Sequence, residues 1–264
     1  MKAIVLAGTS EIGSKLIQKL IDKGYSNIFA TYYSREPSLK SPLVRWHKFK
    51  IQDYQDNDFL SAAALYCSDW DLFVSCVGTQ HPVGRFDSVD IARWIEGINI
   101  NSTYQVATLL KLMEHRSTSN RPCAVFFAGG GTNSATPNYS SQTLGKISLI
   151  KATELLSSEF LDTTFFTLGP GWVKANIHSA TLEAGPVLAG DNFYKTQIML
   201  ETPDLINTSD KVVKDLLTLV SAEHTLTNGR NFSSVHDDIS SERLQYLFGK
   251  DNDFYRLRRA CNNA

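Results

Sequence analysis

A glycine-rich turn near the start of the chain has the residue types needed to bind a phosphate group. Ala7–Gly13 follows a short apolar segment, Lys2–Leu6, and precedes a helical pattern. Where such a turn enters a helix, free N–H groups and the helix dipole favour an anion. The two glycines allow close approach of the backbone, and a serine adds a hydroxyl donor. We expect a dinucleotide pyrophosphate to contact Gly8, Ser10, Glu11, Ile12 and Gly13, with an unliganded strand–turn–helix as the alternative.

The end of the second predicted strand indicates which dinucleotide is favoured. A carboxylate at this place would bind the ribose hydroxyls of NAD, but the strand is followed by Ser34 and Arg35. A hydroxyl and a guanidinium suit a 2′-phosphate. We therefore predict that NADP is preferred over NAD, with a solvated surface arginine as the alternative interpretation of Arg35.

These residues lie in a chain where apolar, β-like segments alternate with amphipathic helical segments. The alternation predicts parallel strands joined by right-handed crossovers, in a sheet covered on both faces. The expected fold is α/β, a Rossmann-type doubly wound sheet in three layers. Residues 1–239 would form one dinucleotide-binding domain, and residues 240–264 a helical tail packed near it. We expect strands at Lys2–Leu6, Asn27–Tyr33, Leu43–Ile51, Asp71–Cys76, Ala124–Phe127, Thr163–Leu168 and Asn231–Val235, and helices at Glu11–Lys23, Phe59–Cys67, Ala92–His115, Tyr139–Phe160 and Asp210–Val220.

One segment, Thr181–Asn207, has no clear periodicity. It follows the sixth predicted strand and is rich in glycine, proline and asparagine. Because such composition is typical of loops, we expect a mobile substrate lid here.

The composition excludes several classes of function. The 264 residues carry a net charge of −1, from 26 basic and 27 acidic residues, which gives no support for binding nucleic acid or an anionic membrane. No apolar stretch has the length of a membrane span. The four cysteines are dispersed, without the spacing of a metal site, which predicts free thiols and a cytoplasmic location. They are Cys67, Cys76, Cys123 and Cys261.

The order of these segments and motifs resembles the short-chain dehydrogenase/reductase family. The resemblance extends from Lys2 to Asp237 and includes Trp94, the sequence Ile98-Asn99-Ile100-Asn101, Lys146 in a long helix, and Gly169-Pro170-Gly171-Trp172-Val173. It implies an NAD(P)-dependent oxidoreductase that acts on a carbonyl or a secondary alcohol. It also implies a homodimer or homotetramer, formed through the two long helices.

The resemblance implies a role for particular residues. Asn99 corresponds to the active-site asparagine, and Lys146 to the lysine that binds the nicotinamide ribose and lowers the pKa of a catalytic tyrosine. The remaining cofactor contacts that it implies are Asp53 and Tyr54 at the adenine, Val77 and Gly78 after the fourth strand, and Pro170, Gly171 and Val173 beside the nicotinamide.

Two catalytic positions of the family hold other residues. Counting back from Lys146, the tyrosine that acts as general acid and base corresponds to Gln142, and the serine that orients the substrate corresponds to Gly129. An amide is no proton donor near neutral pH, and glycine has no hydroxyl. Tyr139 lies seven residues before Lys146, close to two helical turns. It is a candidate substitute, with packing at the helix entry as the alternative.

Two hypotheses follow. The first is an oxidoreductase in which Lys146, Asn99 and either Tyr139 or water serve the proton transfer. The second is a catalytically impaired dinucleotide-binding relative that acts as a partner subunit or sensor. A sugar or nucleotide-sugar substrate is a further alternative, because Gly129–Asn133 and Tyr255–Arg259 are similar to dehydrogenase-like proteins of surface-polysaccharide pathways.

Overall fold

The computed structural model describes residues 1–259, and its centre is a parallel sheet of seven strands. The strands are β1 Lys2–Leu6, β2 Asn27–Tyr32, β3 Val44–Lys48, β4 Leu72–Ser75, β5 Cys123–Phe127, β6 Thr164–Gly169 and β7 Arg230–Ser233. Their order across the sheet is β3-β2-β1-β4-β5-β6-β7, and every neighbouring pair is parallel. The predicted doubly wound fold is confirmed. The order reverses between β1 and β4, where sheets of this type bind ligands beyond the strand carboxyl ends.

Helices cover both faces of the sheet. They are α1 Glu11–Asp22, α2 Asn57–Cys67, α3 Ile91–Asn101, α4 Thr103–Leu112, α5 Ser140–Glu159, α6 Ser179–Ala189, α7 Asp191–Glu201, α8 Ser209–Ser221, α9 His224–Thr227 and α10 Ser241–Lys250. None of the helices within residues 1–259 has the length and apolar composition needed to cross a membrane.

Two hydrophobic cores hold these layers together. On one face, Leu16 of α1, Leu216 of α8 and Leu244 of α10 are buried in the same cluster. On the other face, Phe59 of α2 packs against β2 and stacks on Phe49, with ring centroids 3.8 Å apart. Burial of each such side chain contributes about 1.5–3 kcal/mol. Because both faces of the sheet are covered, its inner strands are apolar throughout, which explains why the sequence located them.

The helix expected over Ala92–His115 is broken, and this corrects the prediction. Ser102 leaves the helical conformation, with φ −144° and ψ −77°, so that α3 and α4 are separate. The Asn101 side chain donates to the carbonyl of Gly97, and the Ser102 hydroxyl donates to that of Ile98. Side chains that bond the carbonyl four residues earlier bend helices.

Thr181–Asn207, expected to be a loop, forms most of α6 and α7. Gly185 has a φ of +69° and is followed by Pro186, which interrupts the helical periodicity of the sequence. The C-terminal tail is also less helical than expected, since α10 ends at Lys250 and turns follow it. Cys261 lies outside the described residues.

Candidate functional site

The turn between β1 and α1 is closely packed. Ala7 has a left-handed φ of 53°, and the Gly8 N–H donates to the Thr31 carbonyl over 2.7 Å. A Cβ atom at Gly13 would lie 2.6 Å from the Ala7 oxygen, and one at Gly8 would lie 2.8 Å from Ile17 Cδ1. Both glycines are therefore required by the packing of the turn itself.

The N-terminus of α1 presents donors for an anion. Ser10 Oγ caps the helix by accepting from the Gly13 N–H over 3.1 Å. The N–H groups of Glu11 and Ile12 donate to no acceptor within residues 1–259, as is usual in a first helical turn. The Glu11 carboxylate is exposed and accepts from the Ser209 hydroxyl over 3.4 Å. Two unpaired N–H groups are thus available beside β1.

The residues that follow β2 border a cavity. Ser34 and Arg35 are exposed, and Arg35 lines a cavity of about 250 Å³ together with Thr9, Ser14 and Trp46. Hydroxyls and a guanidinium therefore converge on one space beside the α1 turn, although Glu36 also lines it.

Asp53 and Tyr54 follow β3 in a short 3₁₀ turn, Ile51–Asp53. Asp53 is exposed, and Tyr54 is half-buried, with its ring stacked on that of Tyr104 at a centroid distance of 5.8 Å. The stacking of Tyr54 on Tyr104 therefore packs this loop against α4.

Lys146 of α5 is buried at the carboxyl end of β4. The residue is 4% exposed, and its Nζ donates to the Val77 carbonyl over 3.3 Å. A Cβ atom at Gly78 would lie 3.7 Å from this Nζ, so Val77 and Gly78 border the ammonium directly. Burial lowers the pKa of Lys146 to about 8. Burial raises the pKa of the neighbouring Cys76 thiol to about 12, so that thiol stays protonated and inert.

Asn101, and not Asn99, lies beside Lys146. Asn101 is fully buried; its Oδ1 accepts from the Thr79 N–H over 3.1 Å, and its Nδ2 donates to the Thr79 carbonyl over 2.9 Å. Asn99 is half-buried and lies near Tyr104, whose hydroxyl donates to Glu96 Oε2 over 2.9 Å. Asn99 and Asn101 therefore lie on different faces of α3, and the catalytic role that the resemblance implies for Asn99 stays a prediction.

The two divergent positions both lie close to Lys146. Gln142 is half-buried on the first turn of α5, one turn before Lys146. At Gly129, a Cβ atom would lie 2.9 Å from Lys146 Cγ. The stem of Lys146 therefore occupies the space that a serine side chain needs.

Tyr139 is buried immediately before α5, and its hydroxyl is bonded to Thr181 of α6 over 2.5 Å. Burial raises the pKa of Tyr139. Thr181 in turn donates to Gln80 Oε1 over 2.9 Å. This contact directs Tyr139 towards α6, which agrees with a packing role and weakens its candidacy as a substitute acid. Gln80 and Thr181 were not identified from the sequence, which contains no motif that relates them.

The turn after β6 forms the far wall of the site. Gly171 has a φ of +72°, and Pro170 accepts from Asn207 Nδ2 over 2.8 Å. Val173 is buried in the core. Ile177, just beyond this turn, approaches to 3.5 Å from the position of a Cβ atom at Gly78. An apolar side chain therefore borders Gly78, as Lys146 does, and the sequence did not indicate it.

Comparisons with solved structures agree with this architecture. A short-chain dehydrogenase/reductase from Saccharomyces cerevisiae superposes with a TM-score of 0.80 at 17% identity, over 92% of this chain and 98% of that one. The chain has the fold of the short-chain dehydrogenases/reductases. No family model and no curated protein matches the sequence.

Two further solved structures share this fold. The aldohexose dehydrogenase of Thermoplasma acidophilum has a TM-score of 0.73 at 16% identity, over 91% of this chain and 96% of that one. A tyrosine-to-phenylalanine variant of ElxO, which has NADPH bound, has a TM-score of 0.71 at 17% identity, over 88% and 94%. At such identities the likeness establishes the fold.

Proposed function

We propose that the protein binds a nicotinamide dinucleotide, with NADP preferred, and uses it to oxidise or reduce a carbonyl or secondary alcohol. The observation that carries this proposal is Lys146, whose buried ammonium reaches the carboxyl end of β4 where the strand order reverses. A buried ammonium with one acceptor at 3.3 Å needs further polar partners. Ribose hydroxyls would provide them.

The residues present fit such a cofactor. The unpaired N–H groups of Glu11 and Ile12 suit a pyrophosphate. The cavity beside Arg35 suits a 2′-phosphate, because its guanidinium is exposed and faces two hydroxyl-bearing residues. The ElxO variant with bound NADPH supports the same choice of cofactor. Asp53, Tyr54 and the turn from Pro170 to Val173 are the further cofactor contacts that the resemblance implies.

The chemistry of this chain would depend on Lys146 for its proton. The dinucleotide supplies or accepts a hydride when bound. The Gln142 amide orients a carbonyl oxygen by donating an N–H, but it transfers no proton near neutral pH. The Lys146 amine, with a pKa of about 8, holds a proton at neutral pH and releases it slightly above. The aldohexose dehydrogenase neighbour supports a sugar hydroxyl as the substrate.

A second function is favoured by Gln142 and Gly129 together. Both groups that act on the substrate in the family are replaced, whereas Lys146, which the resemblance assigns to the cofactor, is retained. This combination is what a dinucleotide-binding sensor or partner subunit would need. Binding without turnover would distinguish it from an enzyme.

The proposal is tested by titrating the protein with NADPH and with NADH and following nicotinamide fluorescence. We expect Arg35→Ala to raise the Kd for NADPH about tenfold or more, because it removes a charge-assisted bond to phosphate, and to leave NADH binding unchanged. Arg93→Ala, an exposed arginine on α3, is the matched control. Absence of binding by both nucleotides would overturn the proposal. Binding without oxidation of NADPH by a panel of ketones and aldoses would favour the second function.

A further inference from the structure

The segment from residue 174 to residue 206, called the cap here, leaves the body and returns to it at one place. Val173 and Asn207 form a bridge, and the Asn207 N–H donates to the Trp172 carbonyl over 2.7 Å. Gly171, with a φ of +72°, lies directly before this bridge. The two ends of the cap are thus tied together, so the backbone of the cap joins the body at one place.

The cap packs on the body through a small cluster of its own. This cluster consists of Val83 and Tyr139 from the body with Ala180 and Ala189 from the cap, and it is separate from the two cores of the sheet. Because so few apolar groups are involved, hydrogen bonds carry much of the attachment. Two of them come from asparagine amides: Asn138 donates to the Ala189 carbonyl over 3.0 Å, and Asn192 donates to the Pro137 carbonyl over 2.7 Å.

Four buried side chains form a continuous chain of hydrogen bonds across this contact. They are Tyr139 and Gln80 of the body and Thr181 and His178 of the cap, each no more than 8% exposed. We call these four residues the clasp. Its links are Tyr139 to Thr181 at 2.5 Å, Thr181 to Gln80 Oε1 at 2.9 Å, and Gln80 Nε2 to His178 Nδ1 at 3.5 Å.

The Val173 carbonyl determines which group donates and which accepts in each hydrogen bond of the clasp. His178 Nε2 lies 2.9 Å from the Val173 oxygen, which only accepts, so Nε2 carries the proton. In the neutral ring Nδ1 then accepts from the Gln80 amide, which leaves the Gln80 oxygen to accept from Thr181. The Thr181 oxygen accepts from Tyr139. All of these donors and acceptors are therefore matched, and the His178 ring also stacks on Trp172 at 3.6 Å.

The clasp determines where the cap meets the candidate site. Ile177 directly precedes His178, and its Cδ1 lies 3.5 Å from the position of a Cβ atom at Gly78. Lys146 Nζ is 3.7 Å from the same position. The hydrogen bonds of His178 therefore hold Ile177 beside Gly78, which Lys146 Nζ also borders.

We propose that Tyr139, Thr181, Gln80 and His178 are positioning residues that hold the cap closed beside Gly78 and Lys146 and that release when a ligand enters. The entry of a dinucleotide rests on the proposed function, whereas the clasp itself does not. It also assigns a role to Tyr139 that is distinct from proton transfer.

The test is hydrogen–deuterium exchange of the full chain, followed by mass spectrometry, in Thr181→Val. Valine keeps the side-chain volume but leaves the Tyr139 hydroxyl and the Gln80 oxygen without partners. The loss of these hydrogen bonds should raise the equilibrium constant for opening of the cap about tenfold. We expect amide exchange in peptides from residues 174–206 to rise about tenfold, with sheet peptides unchanged. Thr153→Val, at a buried threonine that bonds within α5, is the matched control. Exchange unchanged in the cap, or raised equally in cap and sheet, would overturn the proposal.

A less disruptive variant and a measurement of NADPH association complete the test. Tyr139→Phe removes one terminal hydroxyl, so it retains the fold if Thr181→Val does not, and the same selective rise is expected in it. Stopped-flow fluorescence with NADPH should show a faster association rate in both variants. An unchanged rate with rapid cap exchange would contradict the part of the proposal that concerns ligand entry. Absence of NADPH binding in every variant would refute the proposed function, while exchange would still decide on the clasp.

Discussion

At the scale of single residues, the backbone at Gly129 and the side-chain stem of Lys146 are packed tightly against each other. Lys146 passes so close to Gly129 that a Cβ atom there would lie 2.9 Å from its Cγ. A serine at this position would push the lysine stem away from Val77.

This coupling predicts different results for two adjacent glycines. Gly129→Ser is expected to destabilise the protein by about 1–3 kcal/mol, because the added atoms overpack against a buried side chain. Gly130→Ser is the control, since a Cβ atom at Gly130 meets nothing within 4 Å, and it should stay within about 0.5 kcal/mol of the original. Urea denaturation of the two variants provides the comparison. Equal stability of both would show that Lys146 adapts without cost.

At the scale of elements, the last residue of α3 ties this helix to the loop after β4. Asn101 ends α3, and its amide bonds both the Thr79 backbone and the Gly97 carbonyl. It thereby fixes the loop after β4, including Gly78, relative to α3.

Substitution of the two asparagines should separate their roles. Asn101→Ala removes three hydrogen bonds, of which the one to Gly97 is buried and the two to Thr79 are partly buried, and we expect it to lower the free energy of unfolding by about 2–4 kcal/mol. Asn99→Ala, two residues earlier and half-buried, should lower it by less than about 1 kcal/mol. Thermal unfolding followed by circular dichroism measures both changes. A larger loss of stability in Asn99→Ala than in Asn101→Ala would show that the fold depends more on Asn99.

The same elements show what the sequence was able to predict. The strands were located because a parallel sheet buries both faces, which leaves a continuous apolar run in the sequence. The helix break was not predicted, since it depends on side chains that bond their own helix. The α6 and α7 helices were missed because Gly185 and Pro186 interrupt the pattern from which helices are predicted.

At the scale of the whole molecule, the remaining errors come from contacts between distant parts of the chain. Thr181 and Gln80 are 101 residues apart, and no local pattern relates them. The choice between Asn99 and Asn101 likewise depends on how α3 packs. The turn between β1 and α1 was located because a strand–turn–helix is a local pattern, and its contact with a cofactor stays a prediction. The cytoplasmic location and the homo-oligomer stay predictions.

One long-range contact makes the attachment of the C-terminal tail depend on pH. Glu154 of α5 accepts from Arg258 Nη2 and Lys151 Nζ, each over 2.6 Å. Burial alone would raise the pKa of Glu154, but the bonds from Arg258 and Lys151 outweigh it and lower the pKa to about 2. A carboxyl whose pKa is lowered by folding adds stability above its unfolded value, near 4.5, and loses it as pH falls towards 2.

Glu154→Gln should therefore destabilise the protein by about 1 kcal/mol at pH 7, after allowance for the partly exposed partners. Its difference from the original should shrink as the pH is lowered from about 4.5 towards 2, because the wild-type carboxyl then becomes neutral as well. Glu159→Gln, an exposed residue at the end of the same helix, is the control. Denaturant unfolding at a series of pH values measures both. If the two variants lose equal stability at every pH, the tail is held to α5 by packing, and the ion pair contributes nothing to its attachment.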